Sequence, residues 1–174
     1  MIVGPSGAGK DTLIGLALKA FAGNPRVRSA RRVVTRPVNP HEDHDSLPVA
    51  EFEAAATRGE FALSWRAHGL SYGITRAEAD PGDEVILANV SRTVIGAGRQ
   101  WAPCSKVVLV TAPAETLAHR IAARGRDIAD GSRTSRQGLD DIASTEADLV
   151  IINDRAPEDG AAPLIELIDS LLAQ

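Results

Sequence analysis

Apolar and polar positions switch repeatedly between a strand-like and a helix-like rhythm along this chain. Met1-Ile2-Val3 is a short apolar stub that runs into a glycine-rich turn. Leu13, Leu16, Ala17 and Phe21 then recur at helical spacing and predict a helix over residues 10–22, stopped by Gly23-Asn24-Pro25. Residues 31–35 read as a strand, the polar residues 37–46 as a loop, and residues 48–58 as a helix with proline in its first turn and Gly59 just past its end. Residues 61–65 and 70–74 flank Ala67-His68-Gly69 and predict a hairpin. Thr75-Arg76-Ala77-Glu78 has the form of a capping box, which predicts a short helix. Farther on, residues 84–88, 106–111 and 149–152 are strand-like apolar runs. Helices are predicted from Pro113 to about Arg124 and over residues 161–172.

Apolar strands alternating with helices predict an α/β fold, a parallel sheet covered by helices on both faces. The chain has 174 residues, which suits one domain over residues 1–174. The loop-rich stretch 36–75 breaks the alternation and reads as an insertion. A strand ahead of a glycine turn usually has about five or six residues. Only Met1-Ile2-Val3 stands here, so the expectation is a clipped central strand or a start codon downstream of the true one.

Composition narrows the function. Apolar residues make up 44% and charged residues 24%, which excludes a disordered tail or a collagen. With Phe 3, Trp 2 and Tyr 1, and a net charge of −4, neither base stacking nor a basic surface for nucleic acid is expected. Cys104 is the lone cysteine, so no intrachain disulfide forms, in keeping with a reducing cytoplasm. No apolar run approaches the roughly 20 residues of a membrane span.

The chemistry lies in Gly4, Pro5, Ser6, Gly7, Ala8, Gly9, Lys10, Asp11 and Thr12, which fit the phosphate-binding pattern G-x-x-x-x-G-K. Glycines let backbone N–H groups turn inward around a phosphate, the following helix adds its positive end, and Lys10 supplies a mobile charge. The usual next residue is Ser or Thr, whose hydroxyl binds Mg²⁺. Here it is Asp11, which reads either as a metal ligand, direct or through water, or as a charge that favours the helix N-terminus. Arg120, Arg124, Arg126, Arg133 and Arg136 crowd one polar stretch and have the composition of a mobile arginine lid over residues 125–136; a solvated charged helix end is the plainer reading. His41-Glu42-Asp43-His44-Asp45 holds metal-ligand residue types, and reads as a transition-metal site, a solvated acidic loop, or a loop that meets substrate hydroxyls through Glu42 or His44. Tyr72 reads as a phosphate ligand or as a half-buried strand aromatic.

Taken together, the P-loop, Thr35-Arg36, Tyr72-Gly73, the arginine stretch and Val150-Ile151-Ile152-Asn153-Asp154 resemble the guanylate-kinase superfamily. Within it the chain is most similar to the ribose 1,5-bisphosphate phosphokinases of bacterial phosphonate degradation. Residues 4–13, 31–36, 42–44, 62–74, 89–92 and 124–126 carry that resemblance, Asp11 and the stretch 64–73 most specifically. The resemblance implies a P-loop kinase that uses ATP and Mg²⁺ to convert ribose 1,5-bisphosphate to 5-phosphoribosyl 1-diphosphate. It implies catalytic roles for Lys10, Arg124, Arg126, Arg133 and Arg136, and substrate contacts from Arg36, Glu42, His44, Tyr72, Ser91 and Arg92. Where guanylate kinases carry a second arginine, this chain has Asn39; where they carry an acidic Asp-x-Asp, it has Asn89-Val90-Ser91, followed by Arg92. Both changes suit a sugar bearing two phosphates better than a guanine, and Arg66 and Arg76 lie within chain reach of the same pocket. Guanylate kinase, another small-molecule kinase, or a non-catalytic module that binds phosphorylated partners remain the competing readings.

Overall fold

A computed structural model describes residues 1–37, 44–80, 82–123 and 145–174. At its centre is β1 (Ile2–Val3), wholly buried. On one side β1 pairs in parallel with β8 (Val108–Thr111), and β8 with β9 (Leu149–Ile152), giving the order β1-β8-β9. On the other side a parallel bridge from Ile2 to Asn89 joins β1 to the end of β7 (Val85–Leu87), which pairs in parallel with β2 (Val27–Ser29). Ile2 N–H donates to the Ala88 carbonyl at 2.7 Å and Val90 N–H to the Ile2 carbonyl at 3.1 Å. The parallel core therefore runs β2-β7-β1-β8-β9, as the alternating pattern predicts.

Alternation along these strands feeds two cores. Ile2, Val108 and Val110 point to one face, where they meet Leu13 and Ala17 of α1 (Lys10–Ala20) and Leu164 and Ile168 of α6 (Pro157–Leu172). Val3, Val107 and Leu109 point to the other, against Ile95 of α4 (Ile95–Trp101) and against Leu63 and Ile74. Those last two belong to the hairpin β5 (Phe61–Ala67) and β6 (Leu70–Thr75). The turn between them holds His68 at φ 52 and Gly69 at φ 72, the two left-handed residues of a tight hairpin. With β3 (Arg32–Val34) and β4 (His44–Ser46) the hairpin forms a four-stranded sheet, β4-β3-β6-β5. α2 (Val49–Thr57) closes over it through Phe52, which stacks on Phe61 at 4.5 Å. The predicted cap at Thr75 forms: its side chain accepts from Glu78 N–H and starts α3 (Arg76–Ala79).

Several elements differ from the expectation. Residues 44–46 are a strand and not a loop; His-Asp-Ser shows no apolar alternation, and the strand exists because it pairs in parallel with β3. β2 was hidden because Arg28 occupies its middle, held by Glu78 and Glu84. α4 was hidden by Gly96 and Gly98; a side chain at Gly98 would overlap Met1 Sδ. The closing helix begins at Pro157, earlier than predicted. The remaining helix is α5 (Ala114–Ala123). The predicted lid over 125–136 lies outside the described residues, as do Arg124, Arg126, Arg133, Arg136, Asn39, Glu42 and most of the His41–Asp45 run.

Candidate active site

Residues 4–9 carry the chain from the end of β1 to the start of α1 in so little space that side chains are excluded. Gly4 sits at φ 141, and a Cβ there would overlap the Val110 carbonyl oxygen on β8. Gly9 sits at φ 91, and a Cβ there would overlap the amide of Asn153. Both positions need glycine for conformation and for clearance. Gly9 is also the N-cap of α1 and provides no side-chain cap, so the first N–H groups of the helix are left for an anion at the loop mouth. Lys10 Nζ folds back over the loop and donates to the Gly4 and Pro5 carbonyls at 2.9 and 3.0 Å. From there the ammonium is within a side-chain rotation of any phosphate the loop holds.

The loop is braced from behind. Asn153, 4% exposed at the end of β9, donates from Nδ2 to the Ala8 carbonyl at 2.8 Å. Its own carbonyl accepts from Arg120 Nη1 at 3.0 Å, and the same nitrogen lies 3.5 Å from the Gly7 carbonyl. Arg120 on α5, read from sequence as part of the arginine lid, is thus a brace of the P-loop. Asn153 Oδ1 is buried without a hydrogen-bond partner among the described residues, and a Cβ at Gly160 would come within 2.9 Å of it.

In front of the loop stands the second sheet. Asp11, in the first turn of α1, is largely exposed, yet its Oδ1 accepts from Asn89 Nδ2 at 2.6 Å and lies 3.7 Å from Arg32 Nη2 of β3. The hairpin turn also reaches across, with Ser6 Oγ and His68 Nε2 3.5 Å apart. Thr12 is exposed beside Asp11. The structure therefore brings the P-loop, the loop after β7 and the β3–β6 sheet around one opening.

The other expected substrate residues ring that sheet. Thr35 ties into β6, accepting from Ser71 N–H on its hydroxyl at 2.9 Å and donating its own N–H to the Ser71 carbonyl at 3.0 Å; Arg36 follows directly, its carbonyl accepting from Ser46 Oγ at 2.6 Å. Tyr72 pairs across the hairpin with Trp65, rings nearly parallel at 5.5 Å, and its hydroxyl has no partner among the described residues. Ser91 caps the 3-10 turn Arg92–Val94, its Oγ accepting from Thr93 N–H and hydroxyl at 3.3 and 2.9 Å. His44 is not on a solvent-facing loop: it is 1% exposed within β4, opposite Arg32. Arg76 turns away, stacking over Trp101 at 4.7 Å and donating to the Gly59 carbonyl, while Arg66 pairs with Glu53 at the surface. Neither joins the pocket. Asp45 pairs with Arg31 at 3.2 Å, and no group of three His, Cys, Asp or Glu side chains able to hold a metal occurs among the described residues.

Asp11 fits the demands of a hard cation: it offers carboxylate oxygen at the loop mouth, and its Oδ2 has no partner among the described residues. Arg32, His68, Asn153 and the amide role of Asn89 were not read from sequence as parts of the site. All four fall within segments that carry the resemblance, but a contact between the start of α1 and the 89–92 loop leaves no local trace in sequence.

No family model matches the chain. It is 46% identical over 171 residues to ribose 1,5-bisphosphate phosphokinase PhnN of Methylobacterium radiotolerans, covering 95% of this chain and 93% of that one. The corresponding protein of Rhodopseudomonas palustris is 45% identical over 170 residues, covering 97% and 86%. A bifunctional ribose 1,5-bisphosphokinase-thymidine phosphorylase of Cupriavidus pinatubonensis is 47% identical over 143 residues, where the match spans 79% of this chain and 23% of that larger protein. Among solved structures, guanylate kinase from Anaplasma phagocytophilum superposes with a TM-score of 0.72 over 100% of this chain and 86% of that one, at 18% identity, which establishes a shared fold.

Proposed function

Because the chain belongs to the ribose 1,5-bisphosphate phosphokinase family, we propose that it transfers the γ-phosphoryl group of ATP to ribose 1,5-bisphosphate and releases ADP and 5-phosphoribosyl 1-diphosphate. An oxygen of the sugar's 1-phosphate bonds to the γ-phosphorus, and the bond from that phosphorus to the β,γ-bridging oxygen breaks with its electron pair going to ADP. The acceptor is already an anion at neutral pH, so no general base is needed. Catalysis reduces to alignment and charge neutralisation.

The α1 N-terminus and Lys10 hold the donor phosphates, with Lys10 leaving the Gly4 and Pro5 carbonyls to do so. Mg²⁺, when bound, supplies charge neutralisation on the β- and γ-phosphates; Asp11 is the residue that would hold it, directly or through water. Arg36, Tyr72 and Arg92 serve the acceptor phosphates. Glu42 and Ser91 serve the sugar, and Arg124, Arg126, Arg133 and Arg136 serve to neutralise charge on the transferring group. A reducing cytoplasm suits this chemistry and the exposed thiol of Cys104. No described helix is long and apolar enough to cross a membrane.

The observation that carries the choice of acceptor is the loop after β7. Asn89 directs its amide N–H at Asp11, the Ser91 oxygen caps Thr93, and Arg92 is a cation. A guanine edge presents N–H donors, and residues 89–92 of that loop offer it no carboxylate. The test is to incubate the protein with Mg-ATP and ribose 1,5-bisphosphate and follow the product by phosphorus NMR. A diphosphate doublet appearing with ADP is expected; ADP release without it would contradict the assignment.

A further inference from the structure

We infer that Asn89 and Arg32 are positioning residues that hold one oxygen of Asp11 so that the other faces the nucleotide-bound metal. The inference rests on the kinase reading above. A carboxylate in the first turn of a P-loop helix is adverse to nucleotide phosphates until a cation lies between them. An unrestrained Asp11, 65% exposed at its side chain, would sample rotamers in which neither oxygen is aimed. The structure restrains it on one side only. Asn89 Nδ2 donates to Oδ1 at 2.6 Å from a side chain that is 8% exposed and so has little freedom of its own. Arg32 Nη2, on a side chain 16% exposed, faces the same Oδ1 from 3.7 Å. Oδ2 is left without a partner among the described residues, while the neighbouring Lys10 lies on the loop side.

The chemistry of the two partners suits this role. The amide N–H of Asn89 and the guanidinium of Arg32 both face Oδ1, which leaves Oδ2 for a cation. Outer partners of this kind fix the orientation of a metal ligand, and their loss typically weakens metal affinity by about 10- to 100-fold. Both partners also come from the acceptor half of the site, Arg32 from the second sheet and Asn89 from the loop that continues to Ser91 and Arg92. Asp11 is thereby the point at which the donor and acceptor halves meet.

The readout is equilibrium binding of ATP, without turnover, in Mg²⁺ and in EDTA; the ratio of the two affinities measures metal coupling. Asn89→Leu keeps the γ-branched shape and removes the donor. It should lower that ratio by about tenfold or more, with EDTA affinity within about twofold of wild type, and Arg32→Gln should lower it by about three- to fivefold. In an Asp11→Asn background, Asn89→Leu should change nothing further. A wild-type ratio in Asn89→Leu, or an equal loss in both backgrounds, overturns the inference. Should Asn89→Leu fail to fold, an unchanged ratio in Arg32→Gln overturns it alone. Protein that shows this coupling yet does not phosphorylate ribose 1,5-bisphosphate would refute the acceptor assignment and leave the positioning role standing.

Discussion

The two ends of β1 are built on opposite principles. At its carboxyl end the backbone is packed so closely that Gly4 and Gly9 admit no Cβ, and Asn153 and Arg120 meet the loop carbonyls from behind. At its amino end a cavity of about 400 Å³ opens, lined by apolar groups such as Leu63, Ile86, Trp101 and Leu164 and by no residue of the P-loop. There the Met1 ammonium donates to the Lys106 carbonyl at 2.6 Å, and burial lowers its pKa from 8.0 to about 6 against the pull of Asp148. Packing is tight around the glycine loop and looser at the amino end of β1. Function and stability should therefore separate when the two ends are changed.

The sharpest break is Lys10→Ala. Lys10 Nζ reaches two loop carbonyls and the residue belongs to neither apolar core, so turnover should fall by about 100-fold or more with the melting temperature unchanged within about 2 °C. Turnover above about a tenth of wild type, a loss under about 1.4 kcal/mol, would contradict the P-loop role.

Gly9→Ala tests clearance. It forces a side chain into the left-handed region and against Asn153, and should cost about 2–3 kcal/mol, or about 5–10 °C in melting temperature by calorimetry. Gly15→Ala, in the same α1 with nothing within 4 Å of the added Cβ, is the control and should stabilise by about 0.5–1 kcal/mol. Equal effects at the two sites would show that the loop is not tightly held.

The opposite end gives the smallest change, of opposite sign. Appending three apolar residues before Met1 continues the ladder, since Ile2 pairs with Val108 and the residue ahead of Met1 falls opposite Lys106. It also carries the ammonium out of the cavity. The melting temperature should rise by about 2–4 °C with kcat unchanged. In the 174-residue chain the folded amine titrates below its unfolded value, so the unfolded state binds more protons between pH 6 and 8, and stability rises with pH across that window. The extended variant should lose that slope; a slope retained would place it elsewhere.

How much of this was legible in the sequence follows from where the information sits. The P-loop, β8 and β9 were readable because glycine spacing and unbroken runs such as Val108–Thr111 are local signals. The hairpin was readable from His68-Gly69 between two apolar stretches. β2 and β4 were not, because Val-Arg-Ser and His-Asp-Ser become strands only when a neighbour supplies the ladder. Within the site, sequence named Asp11 but not what holds it: Asn89 lies 78 positions away and Arg32 comes from another sheet. Arg120 was read by composition with the lid arginines, and only its contacts with Gly7 and Asn153 show it to be a brace.

Acceptor choice is the central claim, and one ratio tests it most directly: kcat/KM for ribose 1,5-bisphosphate against kcat/KM for GMP, measured with Mg-ATP on the same preparation. A site offering Asn89 and Ser91 in place of carboxylates, with Arg92 beside them, should disfavour GMP by at least about 10³-fold, roughly 4 kcal/mol, the loss expected for two charge-assisted contacts to guanine. Arg36→Ala and Arg92→Ala should each lower the sugar-phosphate value. Comparable values for the two acceptors would contradict the account and make this chain a guanylate kinase in activity as well as in fold.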